Sequence, residues 1–185
     1  MKAWFTAIAF GLIVATAVLV GDSAQGARIA FLVAEYPGQE AHGDSFVISI
    51  DSLDTDRLQH ARLLVDWISS GANPENAPDG RIVVSAIAPG TDGVNRDWRA
   101  AGHPVWSWHP VGEVSFADST IELIDGWPTF VEQDVPGWMS NTNGNIGFWS
   151  YTVVQELGVV PEPAGAGLVT IGAIAVGVSS RRRRS

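Results

Sequence analysis

The chain contains no cysteine. That excludes a disulfide framework, a thiolate zinc site and a cysteine nucleophile. Cations are scarce where they would matter: between Ala27 and Val160 there are six arginines and no lysine, against 18 acids. The middle of the chain therefore carries −12 with its histidines neutral. A stretch of that charge has no basic face for nucleic-acid phosphates and is repelled by anionic surfaces. Glycine-rich phosphate loops ending in Gly-Lys-Ser/Thr are absent, as is a Gly-x-Ser-x-Gly nucleophile elbow. No cofactor motif is present. The length, 185 residues, suits one domain with additional segments.

The remaining cations lie at the two ends. Lys2 precedes an almost wholly apolar run from Ala3 to Val20, and Ala24 and Gly26 follow in a short polar stretch. One positive residue, an apolar core and small residues before Ala27 are the parts of a secretory signal over residues 1–26. The export machinery and signal peptidase are the partners this implies. The run is longer than a minimal signal core, so a retained anchor is the alternative. At the other end a linker over 158–163 contains Pro161, Glu162 and Pro163. Residues 164–180 follow with no charge, and then Arg181, Arg182, Arg183 and Arg184. As a helix, 164–180 spans about 25 Å, slightly less than a hydrocarbon core of about 30 Å, a mismatch that flanking groups or local thinning absorb. The arginine cluster acts as a membrane stop and stays cytoplasmic. Both ends thus predict one topology, with an acidic domain over 27–157 outside the cytoplasm. A soluble protein with a buried last helix is the alternative, and it must explain four arginines directly after the apolar run.

In this order, the Pro-Glu-Pro, the short apolar segment and the terminal arginines resemble the PEP-CTERM sorting signal of bacterial envelope proteins. The resemblance covers the end of the chain. It implies a membrane-embedded exosortase as processing partner, which recognises Pro161, Glu162 and Pro163 and processes the tail. Physically the layout parallels a lipid-anchor signal, in which a recognition site precedes a removable hydrophobic tail. Pro161 and Pro163 hold the backbone extended and block a helix running on into the domain.

The middle stretch reads as α+β. Ile29, Phe31 and Val33 alternate, as do Phe46, Ile48 and Ile50, which predicts two strands with a loop between them. Asp54 caps a predicted helix over 55–69 with Leu58, Ala61, Leu64, Val65 and Ile68 on one stripe, and Gly71 stops it. Further strands are predicted over 81–88, over 105–109 between Pro104 and Pro110, over 115–124 and over 148–156. Thr129 and Glu132 have capping-box spacing for a short helix that Pro136 and Gly137 limit, and Asn143-Gly144 marks a tight turn. One main helix among about six strands predicts a single small domain with a mainly antiparallel sheet.

Several strings here are unusual: Gly93 to Asp97, Trp106 to His109, Asp125 to Val135 and Ile146 to Tyr151. Together they resemble a small domain of bacterial secreted proteins that is also similar to the N-terminal domain of slime-mould calmodulin-binding proteins. The resemblance implies no catalytic residues. Nor does it bring calmodulin binding to this chain, because calmodulin targets are basic amphipathic helices and this stretch is acidic.

Candidate ligand-binding residues are Asn95, Arg96 and Asp97 in a glycine-flanked loop and Trp106, Trp108 and His109 on a strand. A strand places both tryptophans on one face, with Ser107 and His109 on the other. Two readings compete for them. The tryptophans form an aromatic platform for a sugar, or they fill the core of a domain without disulfides, which is the reading preferred. Arg96 and Asp97 bind a polar ligand, or they fix their own loop. Asp92 to Asp97 lacks the order of a calcium loop. His109, Glu113 and Asp118 match no zinc spacing, so no metal ligands are assigned. Glu122, Glu132 and Asp134 are candidate paired carboxylates for glycoside hydrolysis, but none is assigned as catalytic.

The expectation is a non-enzymatic envelope protein that presents an acidic binding or structural domain; polysaccharide or extracellular matrix as its partner is what the resemblance to PEP-CTERM proteins implies. A small glycan-active enzyme and a calcium-dependent adhesion module are the alternatives.

Overall fold

A computed structural model of the chain describes residues 26–38 and 42–160. The signal-like segment up to residue 25, the sorting motif Pro161 to Pro163, the 164–180 segment and Arg181 to Arg184 lie outside the described residues. Among the described residues no helix is long and apolar enough to cross a membrane.

Two three-stranded antiparallel sheets make the domain. The first has the order β2-β1-β6, from β1 (Arg28–Glu35), β2 (Ser45–Asp51) and β6 (Tyr151–Val159). The second has the order β4-β3-β5, from β3 (Ile82–Pro89), β4 (Trp108–Ala117) and β5 (Asn145–Gly147). Both sheets turn a face to one core. Ile29, Phe31, Val33, Phe46, Ile48 and Ile50 meet Val83, Ile87, Trp108 and Ile146 there. The predicted α+β class holds, with the strands divided between two sheets.

β1 is the central strand of its sheet and is buried on both faces. Its odd positions enter the main core, while Ala30 and Leu32 join Val47 in a second cluster lined by Val94, Val154, Leu157 and Val160. β6 runs through Val159, so the first two residues of the expected linker belong to the strand.

The helix α1 (Thr55–Ser69) has its predicted bounds, and Asp54 accepts the Arg57 N–H at 3.1 Å as its cap. Leu58, Ala61 and Leu64 are buried as the stripe predicts. Trp67, outside that stripe, is buried as well, against Tyr36 at 5.7 Å. Arg62 donates to Glu156 at 2.9 and 3.0 Å, which ties α1 to β6. That hydrogen bond holds the Glu156 carboxyl below the usual carboxylate range, against a smaller opposing effect of burial.

Three local expectations are corrected. The separate strands over 105–109 and 115–124 are instead one strand, β4, running through Pro110, with a short 3-10 turn at Glu122–Ile124. β4 is a sheet edge, the position that tolerates a proline. A register shift opposite Val84 to Ala86, with Gly112 at φ +72°, interrupts its pattern. Second, Thr129 does not cap the short helix α2 (Pro128–Gln133). Trp127 holds the cap position without a side-chain bond, and Glu132 accepts the Ser107 N–H at 2.9 Å. Third, Pro136 and Gly137 open a further helix, α3 (Val135–Thr142), rather than limiting one. Proline fits the first turn, where an N–H would be unpaired.

Candidate functional site

The residues singled out in the loop before β4 hold the fold together. Asn95 is 1% exposed; its Oδ1 accepts the Val47 N–H at 2.9 Å and its Nδ2 donates to the Trp108 carbonyl at 2.8 Å. Asp97 is buried, and its Oδ1 accepts from the Ser45 hydroxyl at 3.1 Å and the Arg99 N–H at 3.0 Å. Asp92 closes the turn by accepting the N–H groups of Val94 and Asn95, both at 2.9 Å. The acids and amide of this loop thus serve its own turns and the adjoining sheet, which is the loop-fixing role. Arg96 alone of the trio is exposed.

Trp106 and Trp108 are both buried, with rings 6.2 Å apart and 22° from parallel. Trp106 Nε1 donates to the Ser45 carbonyl at 2.9 Å. Two indoles turned inward offer no platform to a ligand; they fill the core, as a domain without disulfides needs. The half-buried His109 is held by the Gly90 carbonyl at 2.9 Å. Glu113 binds Arg57 at 2.8 Å, and Asp118 accepts the Gly80 N–H, so these two acids and His109 have separate partners. Among the described residues no three His, Asp or Glu side chains converge as metal ligands.

A buried polar cluster joins the same loop to β1. Arg99 pairs with the Glu35 carboxylate and donates to the Glu35 carbonyl at 3.1 Å. The Tyr151 hydroxyl donates to Asp44 and lies 3.3 Å from Glu35, and Asp44 in turn accepts the Thr129 N–H at 2.8 Å. Burial pushes the Tyr151 hydroxyl far above the ordinary phenol range, and its bond to Asp44 adds to the effect. Asp44 and Tyr151 are 2% and 1% exposed, which closes their side of the cluster to solvent, while Arg99 lies at its exposed edge.

An open groove with an aromatic wall lies elsewhere. A groove of about 630 Å³ runs between the Glu122–Ile124 turn, α2 and α3. Phe130 and Trp138 form its aromatic wall, edge to face at 5.8 Å, and Leu123 stands beside them. Phe130 and Leu123 are 45% and 58% exposed. Trp138 is fixed from behind by a 2.9 Å bond from Nε1 to the Asn145 carbonyl. A Cβ on Gly126 would meet Trp138 at 3.2 Å and Phe130 at 3.3 Å, so a glycine suits the place where these rings come closest to the chain.

Glu122, Gln133 and Asn141 also line the groove, and no hydrogen bond among the described residues engages their side chains. Asp125 is occupied by the Trp149 N–H at 2.7 Å, and Asp134 caps α3 through the Gly137 N–H at 3.0 Å. Of the three acids weighed as paired carboxylates, Glu122 and Asp134 share this groove, while Glu132 is engaged with Ser107. No arginine or lysine lines the groove. An exposed ring flanked by free amide and carboxylate groups is suited to a small polar ligand with an apolar face. The sequence reading named neither Phe130 nor Trp138 for a site. The available signal was Trp127 to Phe130 beside an acid-rich stretch.

No curated protein and no solved structure matches the chain. Residues 31–160 match the BP-74 N-terminal domain. This is the calmodulin-binding-protein-like domain that the unusual strings of the middle stretch resemble. The match spans more than half of the chain and takes in both sheets, short only of the first three residues of β1, and the groove; the chain belongs to the BP-74 N-terminal domain family.

Proposed function

We propose that the chain is an exported envelope protein, sorted by its C-terminal signal, whose acidic domain binds polysaccharide outside the cytoplasm without catalysing a reaction. One observation carries the binding reading: the groove joins the exposed Phe130 ring to Glu122, Gln133 and Asn141, side chains unengaged among the described residues. A ring stacks on the apolar face of a sugar, and the polar groups take its hydroxyls. With carboxylates and no cation along the groove, the ligand is a neutral or amine-bearing glycan rather than a uronic one. The order of signal-like segment, acidic domain, Pro-Glu-Pro, apolar segment and arginines supports the sorting reading.

Affinity electrophoresis of the domain through gels containing neutral, amine-bearing and uronic polysaccharides tests the binding. Retardation is expected in the first two and is lost in Phe130→Ala; mobility unchanged in all three gels refutes it. A hydrolytic reading has one observation in its favour, the placing of Glu122 and Asp134 along one groove. Release of reducing ends by the native domain, abolished in Glu122→Gln, would establish it over simple binding.

A further inference from the structure

The two ends of the domain leave it side by side. β1 starts where β6 finishes: the Val160 N–H donates to the Arg28 carbonyl at 2.8 Å, and the Ser52 N–H donates to the Ala27 carbonyl at 2.8 Å. The large apolar side chains most open to solvent among the described residues stand at this end. They are Leu53 and Val159, each 67% exposed. Leu53 is thrust out at the turn between β2 and α1, where Asp51 Oδ1 accepts its N–H at 2.8 Å and the Asp51 carbonyl accepts the Asp54 N–H at 2.9 Å. A Cβ on Gly26 would meet the Leu53 Cγ at 2.7 Å, so the chain enters the domain directly beside it. Val159 pairs with Ile29 one position from the exit.

The tether leaves this end little freedom. From Val160 to Ala164, where the uncharged run begins, is four residues, about 14 Å at full stretch. The polar layer of a bilayer leaflet takes up about 5–7 Å of that distance. Charge does not oppose the approach. Arg57 is paired with Asp54 and with Glu113, the latter at 2.8 Å, and Arg28 is bonded to Ser49. Counted with Asp51, this end carries about one net negative charge, to which Glu162 of the tether adds a second, against −12 for the whole middle stretch.

We propose that, before the tail is processed, this end of the domain, led by Leu53 and Val159, seats in the headgroup layer of the membrane that residues 164–180 enter, an inference that rests on the reading of that segment as a membrane anchor. The apolar side chains face lipid, and the groove at Phe130 is held away from it.

The absence of cysteine allows single labels. Leu53→Cys and Val159→Cys are labelled with the fluorophore NBD in the full chain inserted in phosphatidylcholine vesicles, with brominated phosphatidylcholine as quencher. Leu63→Cys and Leu123→Cys, at sites 50% and 58% exposed, are the comparison. Blue-shifted emission and loss of signal to bromolipid are expected at 53 and 159, with neither at 63 and 123. If the chain floats with the vesicles but all four labels respond alike, the inference is overturned while the anchor stands. If the chain does not float with them, the anchoring reading fails and the inference falls with it.

Discussion

The side-chain oxygen of Asn95 accepts the backbone N–H of Val47 at 2.9 Å. Val47 is on β2, an edge of the first sheet, and the Trp108 carbonyl that takes the Asn95 amide at 2.8 Å is on β4, an edge of the second. Edge strands present unpaired backbone groups, and one amide side chain satisfies a donor on one edge and an acceptor on the other. Replacing Asn95 by alanine strands both groups in a site closed to water. The expected cost is about 2–4 kcal/mol, read from the urea unfolding midpoint. Asn95→Asp keeps an acceptor for Val47 but sets a carboxylate against the Trp108 carbonyl, and it should cost at least as much. A native midpoint in both variants would contradict this role.

Tyr151 ties stability to alkaline pH. Its hydroxyl is a neutral donor to Asp44, and ionising it would add a negative charge beside two buried carboxylates. The folded-state pKa therefore lies above the ordinary value of 10.0, chiefly through burial and then through the Asp44 bond. Folded protein keeps the proton to higher pH than unfolded chain does. The stabilisation is thus complete below about pH 10 and falls above it, by up to about 1.4 kcal/mol per pH unit. Tyr151→Phe should be less stable at pH 8 by about 1–2 kcal/mol. It also lacks this decline, so the gap to the native protein should narrow between pH 8 and pH 11 in urea titrations. A constant gap would show that Tyr151 does not carry it.

Local chemistry was legible in the sequence where it acts alone. Asp54 and Gly71 bracket α1 because a cap and a left-handed glycine need no tertiary partner, and the alternation in β1 and β2 marks the face of each that enters the main core, the other face of β1 being buried in a second cluster. It was illegible where tertiary contacts choose between local options. Glu132 had the spacing to complete a capping box, but the Ser107 N–H claims it. Pro110 looked like a terminator, and only the edge position of β4 makes it a strand residue. The tryptophans at 106 and 108 do not share a strand face, because β4 begins only at Trp108; burial in the core, not alternation, brings them together. The groove was hidden for a related reason. Phe130 and Leu123 come from different elements, and the sequence does not show that α3 closes the wall between them.

Phe130 and Trp138 share a wall but differ in what they support. Trp138 is 8% exposed, packs on Phe148 at 6.2 Å and is bonded to Asn145. Trp138→Ala should cost about 3–5 kcal/mol and disturb the whole core. Phe130 is half-exposed, so Phe130→Ala should lower stability by about 1 kcal/mol or less while removing the stacking face. Thermal melts run beside the polysaccharide gels separate the two effects. If Phe130→Ala binds normally, the groove is not the glycan site.

The sorting reading predicts a separation of two processing events. Pro161 follows a residue whose N–H is bonded to Arg28, so the Pro-Glu-Pro begins directly after the last described residue of the domain. Proline fixes an extended backbone, the form a processing enzyme binds as a strand, and alanine at both positions frees it to continue as helix. In Pro161→Ala/Pro163→Ala, removal of the N-terminal segment before Ala27 should proceed while processing at the C-terminus stops. Deleting Arg181 to Arg184 should instead weaken retention in the membrane before processing, because the stop is electrostatic. Intact mass of protein recovered from the native envelope reads both trimmings in one measurement. C-terminal processing at the native rate in the double proline variant would remove the exosortase from the scheme. Loss of export in that variant would place Pro161 and Pro163 in folding of the domain rather than in sorting, since they adjoin the end of β6.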